Sequence, residues 1–519
     1  MIRSDLLARL RERSTPYDVL VIGGGATGAA VALDAAARGY ATALIERHDF
    51  GEGTSSRSTK LVHGGVRYLE QGNVPLVMEA LHERGILKEN APHLVNELAF
   101  VVPNYEWWEA PFYGIGLRLY DLLAGRYGFG VSRNLSREET LETIPTLKVE
   151  GLRGGVVYYD GQFDDARLLI QMIVTAIEQG ASAVNHCEAV DLLRGGDGFV
   201  DGARVLDRVS GCEFELRARV VVNATGAFSD GVRRLADPDA APMIAPSQGV
   251  HLVFDKSFLP GDSAILVPHT ADGRVMFAIP WHGHTLVGTT DTPVDVAPVE
   301  PVPFAQEVDF ILETAAQYLD HAPSRKDILS AWAGIRPLVK AGGSGGTAAL
   351  SRDHSIHIDR NGLLTIAGGK WTTCRRMAED CVNQAALLAG LDERACVTRS
   401  LRIHGFHHNA KQFGHLGVYG SDATRIQDLV RQRPEWGVAF DEALPYIPAE
   451  VVFATRWEMA QTLADLLSRR IRALPLNANA ALRMAPKAAE LMAAELGKSE
   501  EWAASQVAEF GKLAQGYMG

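Results

Sequence analysis

"YDVLVIGGGATGAAVALDAAARGYATALIER", residues 17–47, decides the fold. Asp18 to Ile22 reads as a short apolar strand, Ala26 to Arg38 has helical composition, and Ala41 to Ile45 reads as a second strand closed by Glu46. Gly39 stands where the helix must end. A strand–helix–strand unit of this kind crosses over right-handedly. Its first turn, Gly23-Gly24-Gly25-Ala26-Thr27-Gly28, matches G-x-G-x-x-G. Gly23 permits the tight turn, Gly25 lets a pyrophosphate approach the backbone, and Gly28 allows close packing of helix on strand. The helix N-terminus adds unpaired N–H groups and partial positive charge.

An acid at position 46 suits an adenosine ribose and disfavours a 2′-phosphate. That motif leaves FAD and NAD open. "VVNATGAFSD" (221–230) favours FAD, because a buried strand running into Ala224-Thr225-Gly226 sets a small turn near the cofactor. Together with "TIAGGKWTT" (365–373), it is similar to FAD-dependent amine and alcohol oxidoreductases.

The rest of the chain fits around that unit. At 519 residues it is too long for one ordinary core. With 47% hydrophobic and 22% charged residues it reads as globular. "ARVVVNATG" (218–226) and "GLLTIAGG" (362–369) read as buried parallel strands. "HLVFD" (251–255), "RVMFAIPW" (274–281) and "HTLVGTTD" (284–291) read as an antiparallel sheet, and "GGVVYYD" (154–160) as a further strand.

The expected architecture is α/β: a Rossmann-like FAD-binding domain, an inserted antiparallel-sheet substrate domain and a C-terminal helical domain. Residues 1–400 form the oxidoreductase region. Its FAD-binding segments are about 17–100, 150–240 and 350–390, and its substrate or cap segments about 100–150 and 241–349. Residues 401–420 read as a linker and 421–519 as the helical domain.

The net charge of −12 argues against nonspecific nucleic-acid binding and obliges any anion site to be a local basic cluster. Five cysteines show neither a C-x-x-C pair nor zinc spacing, and an odd number suits a reducing compartment. Cys374 and Cys381, seven apart, read as one buried helix face. His404, His407, His408 and His415 lack a ligand partner at metal spacing and are expected in solvent; no metal is expected. The N-terminus lacks a signal-peptide pattern and no apolar run is long enough to span a bilayer, so a cytoplasmic location is expected. The first residues read as a short helix packed on the body through Leu6, Leu7 and Leu10. The aromatic stretch 103–130 reads either as a cap over the active site or as a membrane-interface segment, through Trp107, Trp108, Phe112 and Tyr113 with Arg118 and Arg126.

"TSSRSTKLVHGGVRYLEQG", "YYDGQFDDARLL", "VVNATGAFSD", "IPWHGHTLVGTTD", "WAGIRPLV", "LSRDHSI" and "AGGKWTTCRRMAED" occur in one order over roughly residues 17 to 385. Together they resemble the FAD-dependent glycerol-3-phosphate dehydrogenases. The resemblance implies oxidation of sn-glycerol 3-phosphate to dihydroxyacetone phosphate, with electrons passing from FAD to a membrane quinone. It also implies peripheral association with the inner face of the cell membrane, and it is compatible with a homodimer. An oxygen-reducing oxidase is the enzymatic alternative and a flavin-binding scaffold the non-enzymatic one.

Residue roles follow from the same motifs. Thr54, Ser55, Ser56, Gly369 and Thr372 join Gly23, Gly25, Gly28, Glu46, Ala224, Thr225 and Gly226 around the cofactor. Arg67 and Arg352 are assigned to the phosphate, with Lys370 and Tyr68 at the substrate. Arginine forks suit a phosphate dianion because they offer paired donors in fixed geometry. Arg336 keeps its proton and so serves to stabilise charge on the reacting oxygen. His63, an imidazole with an ordinary pKa of about 6.5, reads either as the proton acceptor or as a structural group ordering Gly64-Gly65. Arg57 departs from the family, which commonly has a small residue there.

Overall fold

The computed structural model describes residues 2–70, 72–268, 270, 273–340 and 354–519, with only the backbone described at Arg67 and Glu70. Two sheets organise it. The first has eight strands and is built outward from Tyr17–Ile22. This strand pairs in parallel with Thr42–Ile45 on one side and with Glu213–Asn223 on the other. Leu364–Gly368 continues the parallel order beside Glu213–Asn223, as the apolar runs predict. Val19, Leu20 and Val21 are fully buried, the pattern of a strand covered on both faces.

The alanine-rich segment Ala26–Ala37 forms the crossover helix, helped by the strong helical propensity of alanine. It packs against the helices Asp165–Glu178 and Cys374–Leu388. Cys374 and Cys381 lie on the buried face of the latter.

The second sheet has ten strands and is almost wholly antiparallel. Its long strand Ile244–Asp255 pairs with His284–Gly288 on one side and Ser330–Val339 on the other. Met276–Trp281 and Ser263–Val267 follow, then Val95–Asn104, which runs parallel to Ser263–Val267. Gly154–Phe163 comes next, and the short strand Leu61–Val62 pairs with it. The loop that leaves the first sheet after Thr42–Ile45 therefore ends as a strand of the second.

C-terminal helices Ala423–Gln432, Pro448–Trp457, Ala478–Leu496 and Glu500–Gln515 pack beside the second sheet. Asn477 and Ser499 cap the last two by accepting from Ala480 N–H and Trp502 N–H. Trp332 Nε1 donates to Pro475 O and Ala331 N–H to Tyr517 O, tying these helices to strand Ser330–Val339.

Residues 401–420 are packed rather than extended. Leu416 and Tyr419 are buried, and His404 lies between Glu178 (2.8 Å) and Asp422 (2.6 Å). His404 is thus half-buried, contrary to the solvent position its polar neighbourhood suggests, while His408 and His415 are exposed. At the other end, helix Arg3–Glu12 buries Leu6 and Leu10, and Arg3 reaches Asp207 at 2.6 Å.

Candidate active site

At the end of the first sheet the glycine turn is a cradle closed to side chains at Gly23 and Gly28. A Cβ on Gly28 would lie 1.9 Å from Gly23 O, and one on Gly23, whose φ is +110°, would lie 2.7 Å from Ala224 O. Gly25 begins the crossover helix, where a Cβ would crowd Ser55 Oγ at 3.1 Å. Ser55 Oγ accepts from Ala26 N–H at 2.9 Å. Glu46 accepts from Gly24 N–H (2.6 Å) and His48 N–H (2.8 Å). Burial raises its carboxyl to about 7 against the pull of those two bonds.

Ala224, Thr225 and Gly226 form the facing wall; Thr225 Oγ1 donates to Asn223 Oδ1, and Gly226 has φ +57°. Gly369, at φ +72°, precedes Lys370, Trp371 and Thr372, and Trp371 Nε1 donates to Ser55 O at 2.9 Å. A cradle in which a Cβ at Gly23 or Gly28 would strike backbone, beside a helix N-terminus, fits a dinucleotide pyrophosphate.

The loop after the cradle carries the chain to a second cavity. Thr54 Oγ1 donates to Ile335 O at 2.5 Å, beside Arg336. Ser56 is buried, and its carbonyl accepts from Lys60 Nζ and Arg472. His63 N–H donates to Thr372 Oγ1 at 3.1 Å.

His63, Tyr68 and Arg336 then line one pocket of about 220 Å³ together with Thr59, Arg274, Thr289 and Asp291. Arg336 is aimed by Asp291 Oδ1 (3.3 Å), Gln248 O (3.3 Å) and Thr289 Oγ1 (3.2 Å). Lys370 Nζ stands 3.8 Å from the centre of the Tyr68 ring. Arg67 belongs to the short helix Val66–Glu70, its side chain outside the described atoms, and Arg352 lies outside the described residues.

Arg57, the odd residue of its motif, is buried and paired with Glu300 at 2.5 Å. Gly334 leaves the room for it, since a Cβ there would lie 2.9 Å from Arg57 Cβ. Tyr517 also donates to Glu300, so the departure is accommodated by a contact with the C-terminus.

Sequence reasoning missed Thr59, Arg274, Thr289 and Asp291. Three of them sit in or beside strands already read from the sequence, and "GTTD" stands in one of the motifs quoted above. No periodicity marks them, because only the folding of distant strands brings them to Arg336. Among the described residues, Asp49, His186 and Asp465 bring ligand-type atoms within 4.8 Å of one another. Arg469 and Arg470 already pair with Asp49 at 2.6 and 2.7 Å, which makes the group an ion-pair network.

Comparison with known proteins agrees with this geometry. A family profile described as FAD dependent oxidoreductase matches residues 18–375, and one described as the C-terminal domain of alpha-glycerophosphate oxidase matches 364–503. A crystal structure of a glycerol-3-phosphate dehydrogenase from Bacillus halodurans complexed with FAD superposes with TM-score 0.81 at 29% identity, covering 100% of this chain and 98% of that one. The fold and cradle thus define an FAD-dependent oxidoreductase.

The relatives narrow the class. The mitochondrial glycerol-3-phosphate dehydrogenase of Rattus norvegicus is 43% identical over 94% of this chain and 72% of its own length. That of Homo sapiens is 43% identical over 93% and 71%. The chain belongs to the glycerol-3-phosphate dehydrogenase family.

Proposed function

We propose that the protein oxidises sn-glycerol 3-phosphate at its central carbon to dihydroxyacetone phosphate and delivers the electrons to a membrane quinone. The observation that carries the first part is the meeting of His63 and Arg336 in one pocket, reached from the glycine cradle by a single loop. FAD bound in that cradle supplies the acceptor for the hydride. The hydroxyl proton must leave as the hydride does, and His63 is the acceptor assigned to it. Arg336 stays charged and stabilises the oxygen from which the proton departs. Lys370 and Tyr68 hold the substrate, with Arg67 and Arg352 assigned to the phosphate by their motifs.

The test is anaerobic addition of glycerol 3-phosphate to purified protein. Loss of the visible flavin band is expected, and an unchanged spectrum would overturn the reaction. In Arg352→Ala the loss should fall on glycerol 3-phosphate and spare glycerol; equal loss for both would remove Arg352 from the phosphate site.

The quinone and membrane part draws support from the helix Glu109–Ala124. Tyr113, Leu117, Tyr120 and Ala124 form its buried stripe. Trp108, Phe112, Ile115, Leu119 and Leu122 form a second apolar stripe on the outside, with Ile115 71% and Leu122 77% exposed. Arg118 on the helix and Arg126 in the turn just beyond it are exposed. An outward apolar face with aromatic and basic neighbours suits the headgroup region of a bilayer. On the inner side Tyr120 donates to Asp160, which lines the pocket, so the outer face lies about one helix diameter from it, roughly 10 Å.

Among the described residues no helix is long and apolar enough to cross a membrane. The exposed apolar face of Glu109–Ala124, with its aromatic and basic neighbours, supports peripheral association with the inner face of the cell membrane as its proposed role. Anionic vesicles should sediment the wild type and leave an Ile115→Asp/Leu122→Asp variant in solution, still active with a soluble acceptor. Equal sedimentation would dismiss this face. Reoxidation by dissolved oxygen outpacing reoxidation by a quinone analogue would make the protein an oxidase.

A further inference from the structure

Lys60 stands out in the loop that links cradle and pocket. It is fully buried and has φ +63°, a left-handed conformation uncommon for lysine. Its ammonium donates to Ser56 O and Asp165 Oδ2, both at 2.7 Å, and lies 4.6 Å from the Trp332 ring centre. Burial lowers its pKa to about 7, against the opposing pull of Asp165.

Asp165 opens the helix Asp165–Glu178 and gathers more than Lys60. Its Oδ2 also accepts from Ser58 N–H (3.1 Å) and Ser58 Oγ (2.7 Å), and its Oδ1 accepts from Arg472 at 3.1 Å. Arg472 comes from the C-terminal region, is buried, and donates to Ser56 O at 2.9 Å and Ser468 O at 2.7 Å. Two distant segments thus close on residues 56–60, and each charge in the cluster has a partner.

The residues on either side of this anchor face the pocket. Thr59 lines it and shares a 2.9 Å hydrogen bond with His251 Nε2. His251 is buried against Trp332, with ring centres 4.4 Å apart. His63 follows three residues after Lys60. Among the described residues, none that lines the pocket comes from the C-terminal region.

We propose that Lys60, Asp165 and Arg472 are positioning residues for the oxidation: the cluster fixes the loop so that Thr59 and His63 face the substrate, and it makes turnover depend on a C-terminal arginine that never meets the substrate. The inference rests on the reaction proposed above. A group held slightly out of line loses rate before it loses binding, because alignment matters most in the transition state.

Arg472→Met removes the guanidinium and keeps the Lys60–Asp165 pair; Ser58→Ala removes one hydroxyl from Asp165. The variants are compared by FAD-to-protein ratio, visible spectrum, thermal midpoint and anaerobic rapid-mixing reduction over a range of glycerol 3-phosphate concentrations. With flavin content retained, the maximal reduction rate should fall at least tenfold in Arg472→Met and about threefold in Ser58→Ala. Half-saturation should stay within threefold of wild type. The double variant should be little slower than Arg472→Met alone, as expected of groups acting as a unit. Wild-type rates in a flavin-loaded Arg472→Met would overturn the proposal and leave the parent reaction standing; so would losses that multiply in the double variant. If Arg472→Met loses FAD, Ser58→Ala decides alone, and an unchanged rate there overturns the proposal. A wild type that glycerol 3-phosphate does not bleach overturns both readings.

Discussion

The two sheets build their sites from different material. At the end of the first, the cradle is backbone: three glycines, a helix N-terminus and the carbonyl of Ala224. At the face of the second, the pocket is side chains, with Arg336 from strand Ser330–Val339, Arg274 just before Met276–Trp281, and Thr289 and Asp291 just after His284–Gly288. At Gly23 and Gly28 the backbone site has no room for an added carbon, whereas a side-chain site tolerates substitution at a graded cost. Variants in the two sheets should therefore fail in different ways: those in the first lose the cofactor, and those in the second keep it and lose rate or affinity.

The largest effect is expected at Gly28. In Gly28→Ala the new methyl meets the backbone oxygen of Gly23, which cannot move aside as a side chain can. Overpacking of this kind costs about 1–3 kcal/mol or more, and the purified protein should be colourless. A yellow Gly28→Ala protein with a full complement of FAD would break the contrast.

Arg336→Lys should keep FAD and reduce it roughly 10²–10³-fold more slowly at every pH, because lysine retains the charge and loses the planar fork. His63→Asn should slow reduction about 10²-fold and abolish the rise of rate with pH that an imidazole base imposes. If the rise persists at the wild-type rate, the imidazole orders the loop and another group takes the proton. Tyr68→Leu removes the ring beneath Lys370, and a cation–π contact of about 0.5–2 kcal/mol translates into a several-fold higher KM with kcat little changed. Loss of FAD in any of these three would blur the division between the sheets.

His404 lies outside both sites and gives the smallest effect. Burial disfavours its charge, yet hydrogen bonds to Asp422 and Glu178 raise its pKa to about 9. Since the folded value exceeds the unfolded one, its stabilisation is complete below the ordinary imidazole pKa and disappears as pH rises through about 9. His404→Gln should lower the thermal midpoint by roughly 2 °C at pH 6, with the gap to wild type closing by pH 10. Flavin content should not change; if it did, residues 401–420 would belong to the cofactor site.

The same contrast explains what the sequence discloses. A backbone site is contiguous: Gly23, Gly25, Gly28 and Glu46 fall within one strand–helix–strand unit, and their spacing alone announces it. The parallel strands at 218–226 and 362–369 are legible for a like reason, since burial on both faces demands unbroken apolar runs. The pocket has no such local mark. His63 and Arg336 were reached through family motifs, while Arg274 and Thr289 escaped because strand pairing, not spacing, brings them to Arg336. The partners of His404 were hidden for a third reason: histidine, glycine and asparagine suggest solvent exposure, yet His404 is held between the distant Glu178 and the nearby Asp422.

The pairing of Tyr17 with Ala218 has a consequence in time. The strand that ends in the glycine turn leaves the ribosome before its neighbour, which follows about 200 residues later. At roughly 5–20 residues per second, that partner is missing for on the order of 10–40 s. Until Ala224 arrives the turn has no opposite wall, and the apolar segment Val19–Ile22 stands half-covered. A nascent chain cut anywhere before residue 224 thus exposes a sticky strand and lacks one wall of the cradle, so loading with the cofactor has to wait at least until Ala224 has been added.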